Sequence, residues 1–196
     1  MRKPLALALL VAAAVAAPPH ASAMRPFNQV VDPKGDARGN LGFADIVSAR
    51  WYTTGTGAKR ALAATLTLAG APNTDPGFVY EVGARVDGCG SVEFRYTPLS
   101  VESAYRGPKA FFAFCGAPTS PDPASWQEEV TLTVTGRTIT WSIPLAVIPE
   151  SVGLGALYSE FDATADAAEP VLGTPVLGIP SQSIDVGRGD GVWRVR

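Results

Sequence analysis

The sequence predicts an all-β protein, built as an antiparallel two-sheet β-sandwich in a single domain. Three observations support this fold class. Apolar and polar residues alternate with a period of two along much of the chain, which indicates strands with one buried and one polar face. Turn signals rich in Gly, Pro and Asp separate these strands. No stretch after residue 23 carries a long apolar repeat of helical period.

The first 23 residues are predicted to be a signal peptide. Two basic residues precede an apolar run from Leu5 to Ala17, and Ala21-Ser22-Ala23 has the small-residue pattern of a cleavage site. We expect cleavage after Ala23 and a secreted mature domain of residues 24–196. We expect no membrane span, because a spanning helix needs about 20 apolar residues.

Six segments show the alternation of strands, and two further strands are expected. The alternating segments are 45–53, 60–68, 78–86, 91–97, 130–134 and 138–143. A last strand is expected at 154–161, and pairing of the two cysteines suggests a strand at 109–115. In the first strand, Val47, Ala49 and Trp51 share the apolar face, and Trp141 is also assigned to the core. Asp87-Gly88 predicts a turn, and Thr135-Gly136-Arg137 predicts a tight hairpin.

The two cysteines, Cys89 and Cys115, are expected to form one disulfide. An even number of cysteines in an exported chain is typical of disulfide bonding, because the compartment is oxidising. Placing the two cysteines opposite each other in an antiparallel pair sets Val92 beside Phe112 on the core face. Apolar residues then meet inside, which is the condition that fixes a strand register.

The C-terminal segment, from about residue 164 to 196, is rich in Pro and Gly near its start. We interpret residues 164–183 as a strap that covers the domain or as a loose tail. The C-terminal segment also contains the tripeptide Arg188-Gly189-Asp190. The following Gly191 favours a hairpin with Asp190-Gly191 as its turn.

Composition excludes several classes of function. The only histidine, His20, lies in the predicted signal peptide, so histidine-based triads and His-ligated zinc or haem are not expected. Glu128 and Glu129 are neighbours, and neighbours in a strand point to opposite faces, so they cannot flank one glycosidic bond. The net charge is -2 without a basic run, which argues against nucleic acid. We therefore expect no enzymatic activity.

Short motifs follow one another in a set order between residues 30 and 166. Val30 to Asp36 reads VVDPKGD and precedes Ala44-Asp45-Ile46. Gly136 to Leu145 reads GRTITWSIPL and precedes Ala156-Leu157-Tyr158 and the acidic segment 162–166. This order resembles secreted bacterial β-sandwich proteins, namely DOMON-like domains and family 9 carbohydrate-binding modules. The resemblance implies a jelly-roll-like sandwich without catalysis, often with bound sugar, haem or calcium.

An acidic turn near the start of the domain is the candidate metal site. Asp32, Asp36 and Asp45 lie within 14 residues, and Gly35 allows a tight turn between them. Calcium prefers carboxylate and carbonyl oxygens from a flexible loop. The alternative is that these aspartates only hydrogen-bond the backbone of their own turns. Asp162 and Asp166 are further candidate ligands from the other end of the chain.

Three aromatic residues are the candidate ligand platform. Tyr52 and Phe111 fall on the outer faces of their predicted strands, and Trp126 falls in a predicted loop. Sugar rings stack on exposed aromatic rings, and large exposed apolar patches mark binding sites. The alternative is ordinary packing in the core or at a sheet edge.

These patterns together predict a secreted, non-catalytic binding module for a glycan or another extracellular ligand, with calcium in a structural role. The alternative is a secreted structural or protein-interaction domain that binds no small ligand.

Overall fold

The computed structural model describes residues 29–74, 78–98, 109–113, 126–127, 130–167 and 182–196. These residues form two antiparallel β-sheets that pack around one hydrophobic core, as expected for a β-sandwich. The predicted signal peptide lies outside the described residues. Within the described part of the chain, no helix has the length and apolar character needed to cross a bilayer.

The first sheet contains five strands. In spatial order they are β1 (Val30–Val31), β2 (Ile46–Thr54), β3 (Ala61–Leu68), β9 (Thr138–Pro144) and β8 (Thr131–Thr135). Short 3-10 turns lie at Arg38–Asn40, Gly57–Lys59 and Leu145–Val147. The predicted hairpin is confirmed, because Thr135 pairs with Thr138 across a two-residue turn.

The second sheet contains six strands. In spatial order they are β11 (Gln182–Arg194), β10 (Leu157–Ala167), β4 (Phe78–Val86), β5 (Gly90–Thr97), β6 (Lys109–Ala113) and β7 (Trp126–Gln127). The predicted turn at Asp87-Gly88 joins β4 to β5. The prediction of a loop at Trp126 was wrong, because Trp126 lies in β7 and pairs with Ala113 of β6.

The core is aromatic at its centre. The indole ring of Trp51 lies 5.0 Å from the Phe94 ring and 5.3 Å from the Tyr158 ring, centroid to centroid. Phe94 also lies 4.8 Å from Phe112. Trp51 and Trp141 are both buried, as the alternation predicted. Rings contributed by both sheets therefore hold the two layers together.

The prediction of the core face was wrong for one residue, Val47. The register between β2 and β3 is irregular between Ile46 and Ser48. Ile46 is consequently buried with Ala49 and Trp51, whereas Val47 is only partly buried. A bulge of this kind shifts the phase of alternation by one residue.

The predicted register between β5 and β6 was also wrong. Phe112 lies opposite Phe94 rather than Val92, a slip of two residues from the register that would set the two cysteines opposite each other. The slip is even, so Phe112 stays on the core face. Cys89 follows the β4–β5 turn and packs against the core. Cys115 lies outside the described residues, and the disulfide stays a prediction.

The C-terminal segment contains more strand than the sequence suggested. The strand predicted at 154–161 is β10, which begins at Leu157 and continues to Ala167. Residues 182–194 form the single strand β11, so the hairpin predicted at Asp190-Gly191 was wrong. Phe161 pairs with Gly189 and Ser159 pairs with Val192, so β11 has two residues where β10 has one. The Asp-Gly pair therefore forms a bulge rather than a turn.

Candidate metal centre

The turn after β1 is fixed by a carboxylate from a later segment. Gly35 has a φ of 96°, in the left-handed region that favours glycine. Its N–H donates to both carboxylate oxygens of Asp45, at 3.0 Å to Oδ1 and 2.9 Å to Oδ2. Asp45 is buried. Its carboxylate therefore holds the acidic turn in place beside the start of β2.

The last strand adds a second carboxylate to the same region. Asp185 in β11 is buried, and its Oδ2 accepts a hydrogen bond of 2.6 Å from the backbone N–H of Ile46. Its Oδ1 accepts from the N–H of Val186 at 2.9 Å. These bonds orient the side chain and link the second sheet to the beginning of β2 in the first.

Three carboxylates meet where these segments converge. Asp32, Asp36 and Asp185 each present one carboxylate oxygen, and the three oxygens lie within 4.8 Å of one another. Asp185 is buried, Asp32 is partly buried and Asp36 is exposed. Oδ2 of Asp32 is inaccessible to solvent and finds no hydrogen-bond donor among the described residues. We call Asp32, Asp36 and Asp185 the aspartate cluster.

The cluster places negative charges close together in a partly desolvated position. Burial, as the largest cause, and the charges of Asp185, Asp36 and Asp45 together raise the pKa of Asp32 to about 6. Burial also raises the pKa of Asp185, against the opposing effect of the hydrogen bond from Ile46. Like charges that share a site disfavour ionisation unless a cation or a donor compensates them.

The structure brings together two of the three predicted metal ligands and adds one that sequence reasoning missed. Asp32 and Asp36 belong to the aspartate cluster. Asp45 lies next to it, but Asp45 is bonded through both oxygens to Gly35. Asp185 was not predicted, and its only sequence signal is an acid within the apolar alternation of residues 184–186.

Asp162 and Asp166 do not join the aspartate cluster. Asp162 pairs with Gly83 and Asp166 pairs with Val79, positions on the outer face of the second sheet. The end of the chain therefore brings a carboxylate to the cluster, but from a residue other than the two expected. The contributing strand is β11 rather than β10.

The three predicted platform aromatics lie in two different sheets. Tyr52 is in β2 of the first sheet, partly buried, with the guanidinium carbon of Arg50 4.7 Å from its ring centroid. Phe111 in β6 pairs with Arg95, and Trp126 in β7 pairs with Ala113, both in the second sheet. The backbone thus brings Phe111 and Trp126 to neighbouring strands and leaves Tyr52 in the other layer.

Comparisons with protein-family models, with curated proteins and with solved structures found no match for this chain. The resemblance to DOMON-like domains and family 9 carbohydrate-binding modules therefore stays a prediction from sequence motifs.

Proposed function

We propose that this protein is a secreted, non-catalytic β-sandwich module that binds calcium at the aspartate cluster and a small extracellular ligand elsewhere on its surface. The observation that carries the calcium assignment is the solvent-inaccessible Oδ2 of Asp32, which has no donor among the described residues and lies beside two further carboxylates. A bound cation supplies the missing partner and neutralises the mutual repulsion.

The ligand chemistry favours calcium over transition metals. All three cluster residues offer carboxylate oxygens, which are the ligands of hard cations such as calcium and magnesium. Calcium accepts irregular geometry and six to eight oxygens. We expect backbone carbonyls of the turn at residues 33–36 to complete the coordination of the ion. Asp45 acts as a positioning residue, because its bonds to Gly35 hold that turn in shape.

Thermal unfolding in calcium and in chelator tests the metal site. Calcium at about 100-fold its Kd stabilises by about 2.7 kcal/mol, and we expect Tm to rise by about 5–10 °C in a domain of this size. Asp32→Asn should abolish the rise, because it removes a charged ligand. In chelator the same variant should melt no lower than the wild type, since it also removes repulsion.

The matched control is Asp87→Asn, which changes an exposed aspartate in the β4–β5 turn. This variant should keep the full calcium response. If the wild type melts at the same temperature in calcium and in chelator, the aspartates serve only as turn residues and the calcium proposal fails.

The ligand-binding part of the proposal is supported by the sequence motifs and by the predicted export of the chain. The secreted protein should begin at Met24 and carry a disulfide between Cys89 and Cys115.

Glycan-array binding with and without chelator tests the proposed ligand-binding function. Saturable binding to a defined glycan supports a binding module. Absence of binding to every glycan favours the alternative, a structural or protein-interaction domain.

A further inference from the structure

The outer face of the second sheet carries a groove with a volume of about 410 Å³. It crosses β10, β4 and β5, and its floor is Gly83, the one position in this part of β4 without a side chain. The register sets Asp162 on one side of Gly83 and Glu93 on the other. The volume lies in the range of small-molecule sites, about 300–1,000 Å³.

Because Gly83 has no side chain, the carboxylate of Asp162 can lie directly over the backbone of β4. A Cβ at position 83 would collide with Oδ1 of Asp162. The carboxylate thus occupies the space that a side chain would normally fill, and it stands inside the groove rather than beside it. Asp162 is held there in a partly buried position.

Negative charge accumulates around this floor. Glu81 lines one end of the groove and is ion-paired with Arg95, whose Nη2 also lies 2.9 Å from Glu93 Oε1. Burial raises the pKa of Glu81 to about 7, with Glu93 and Asp166 adding to the rise and Arg95 opposing it. Burial also raises the pKa of Asp162, although Arg188 opposes this rise. Four acidic side chains and one arginine line the groove, so acidic groups outnumber basic groups there.

A buried carboxylate oxygen without a partner lies next to one residue of the groove lining. Asp166 is only 8% exposed, and its Oδ1 finds no hydrogen-bond partner among the described residues. Its Oδ2 accepts a hydrogen bond of 3.3 Å from the hydroxyl of Thr164, which lines the groove, whereas Asp166 itself does not line it. A buried carboxylate oxygen without a donor is costly, so the outer face beside Thr164 lacks a donor for Asp166 among the described residues.

The spacing of these carboxylates argues against a bare metal ion. Among the described residues, the aspartate cluster is the only set of three acidic side chains whose oxygens all lie within 4.8 Å of one another. No three of the groove carboxylates lie that close together. A ligand whose N–H donors are spread over several ångströms matches them better than one ion does.

We propose that the groove over Gly83 binds a small molecule with an ammonium group, which donates hydrogen bonds to Asp162 and Glu93. This inference rests on the proposed role as a ligand-binding module and names the chemistry of its ligand. Arg85, whose guanidinium lies 3.7 Å from Glu160, closes one end and offers donors to ligand hydroxyls. Amino sugars and linear polyamines both carry the ammonium group.

Calorimetric titration with glucosamine, glucose and spermidine at pH 7 and low salt tests the proposal. Glucosamine should bind at least about 10-fold more tightly than glucose, because only glucosamine carries an ammonium group, whose positive charge adds ionic attraction to its hydrogen bonds with the carboxylates. Tighter binding of glucosamine than spermidine identifies an amino sugar as the source of the ammonium group, and the reverse identifies a polyamine. Failure of both cationic probes to bind saturably overturns the proposal.

Asp162→Asn should weaken binding of the cationic probe by about 10-fold or more. Burial opposes ionisation of Asp162, so the amide should fold at least as well as the acid, and a melting curve verifies this. Glu150→Gln changes an exposed acid that does not line the groove, and it should leave the affinity unchanged. Unchanged affinity in Asp162→Asn overturns the assignment.

The test of the groove can fail without the proposed function failing. If the groove binds neither cation but the protein still binds a glycan on the array, the binding module stands and only this inference fails. The calcium-dependent rise in Tm is measured independently, because no residue of the aspartate cluster lines the groove.

Discussion

At the scale of single residues, the aspartate cluster and the groove over Gly83 both depend on carboxylates in partly buried positions. Asp45 and Asp185 are bonded through both oxygens to backbone N–H groups, which orients them and compensates part of their charge. Asp32 and Asp166 each keep one buried oxygen without a partner among the described residues. Asp45 therefore holds the acidic turn in place, and Asp185 both links the two sheets and belongs to the aspartate cluster.

Glu81 makes the pH dependence of stability testable. Its folded-state pKa of about 7 is above the ordinary glutamate pKa of 4.5. A carboxyl with a raised folded pKa contributes stability below its unfolded pKa, and this stability is lost as the pH rises through the folded value. The unfolding free energy of the wild type, relative to Glu81→Gln, should therefore fall between pH 4.5 and pH 7.

Urea unfolding of both proteins at several pH values measures this difference, with Glu150→Gln as a control at an exposed position. Parallel pH profiles for the wild type and Glu81→Gln would show that burial of Glu81 does not disfavour its charged form.

At the scale of elements, the contact of β11 with β1 decides how the two sheets close. Gly187 and Gly189 of β11 lie against the first sheet, where a Cβ on Gly187 would lie 2.7 Å from a methyl carbon of Val30. A Cβ on Gly189 would collide with the backbone carbonyl of Gln29. The glycines thus let the last strand approach the first closely enough to bring Asp185 to the acidic turn.

Gly189→Ala should consequently destabilise the domain by about 2–3 kcal/mol, because the backbone of Gln29 cannot move aside as a flexible side chain can. Urea unfolding measures the loss. Gly42→Ala is the matched control, since the nearest atom to its Cβ would be 3.8 Å away, an ordinary contact. Equal stabilities of the two variants would contradict the close approach of β11 to β1.

Bulges explain why alternation alone misplaced parts of β10 and β11. Glu160 has a φ of 47° and interrupts the register on both sides of β10. Tyr158 and Phe161 are therefore both in the core, three positions apart. Gly191 has a φ of 114° at the matching bulge in β11. A positive φ at an Asp-Gly pair is shared by hairpin turns and bulges, so the local sequence does not distinguish them.

At the scale of the whole molecule, the expected disulfide ties Cys89 to a segment outside the described residues. Closing a loop of this length stabilises by about 3 kcal/mol on the chain-entropy model. The double variant with Cys89→Ser and Cys115→Ser should therefore melt about 6–12 °C lower and still fold cooperatively, because the aromatic core around Trp51 remains.

Circular dichroism melting compares the double variant with the wild type. Mass spectrometry of the unreduced native protein after thiol alkylation provides the independent check. Two alkylated cysteines in the native protein would contradict the disulfide.

Period-two alternation and turn preferences depend only on residues that are close in sequence. They were therefore enough to predict the fold class, most strand positions, the hairpin at Gly136 and the core positions of Trp51 and Trp141. The sequence also identified Asp32 and Asp36, which lie in one turn. Only the tertiary structure decided the β5–β6 register, the single strand β11 and the participation of Asp185. The bond from Ile46 to Asp185 joins residues 139 positions apart, and a contact so distant in sequence depends on how both sheets pack rather than on any local pattern.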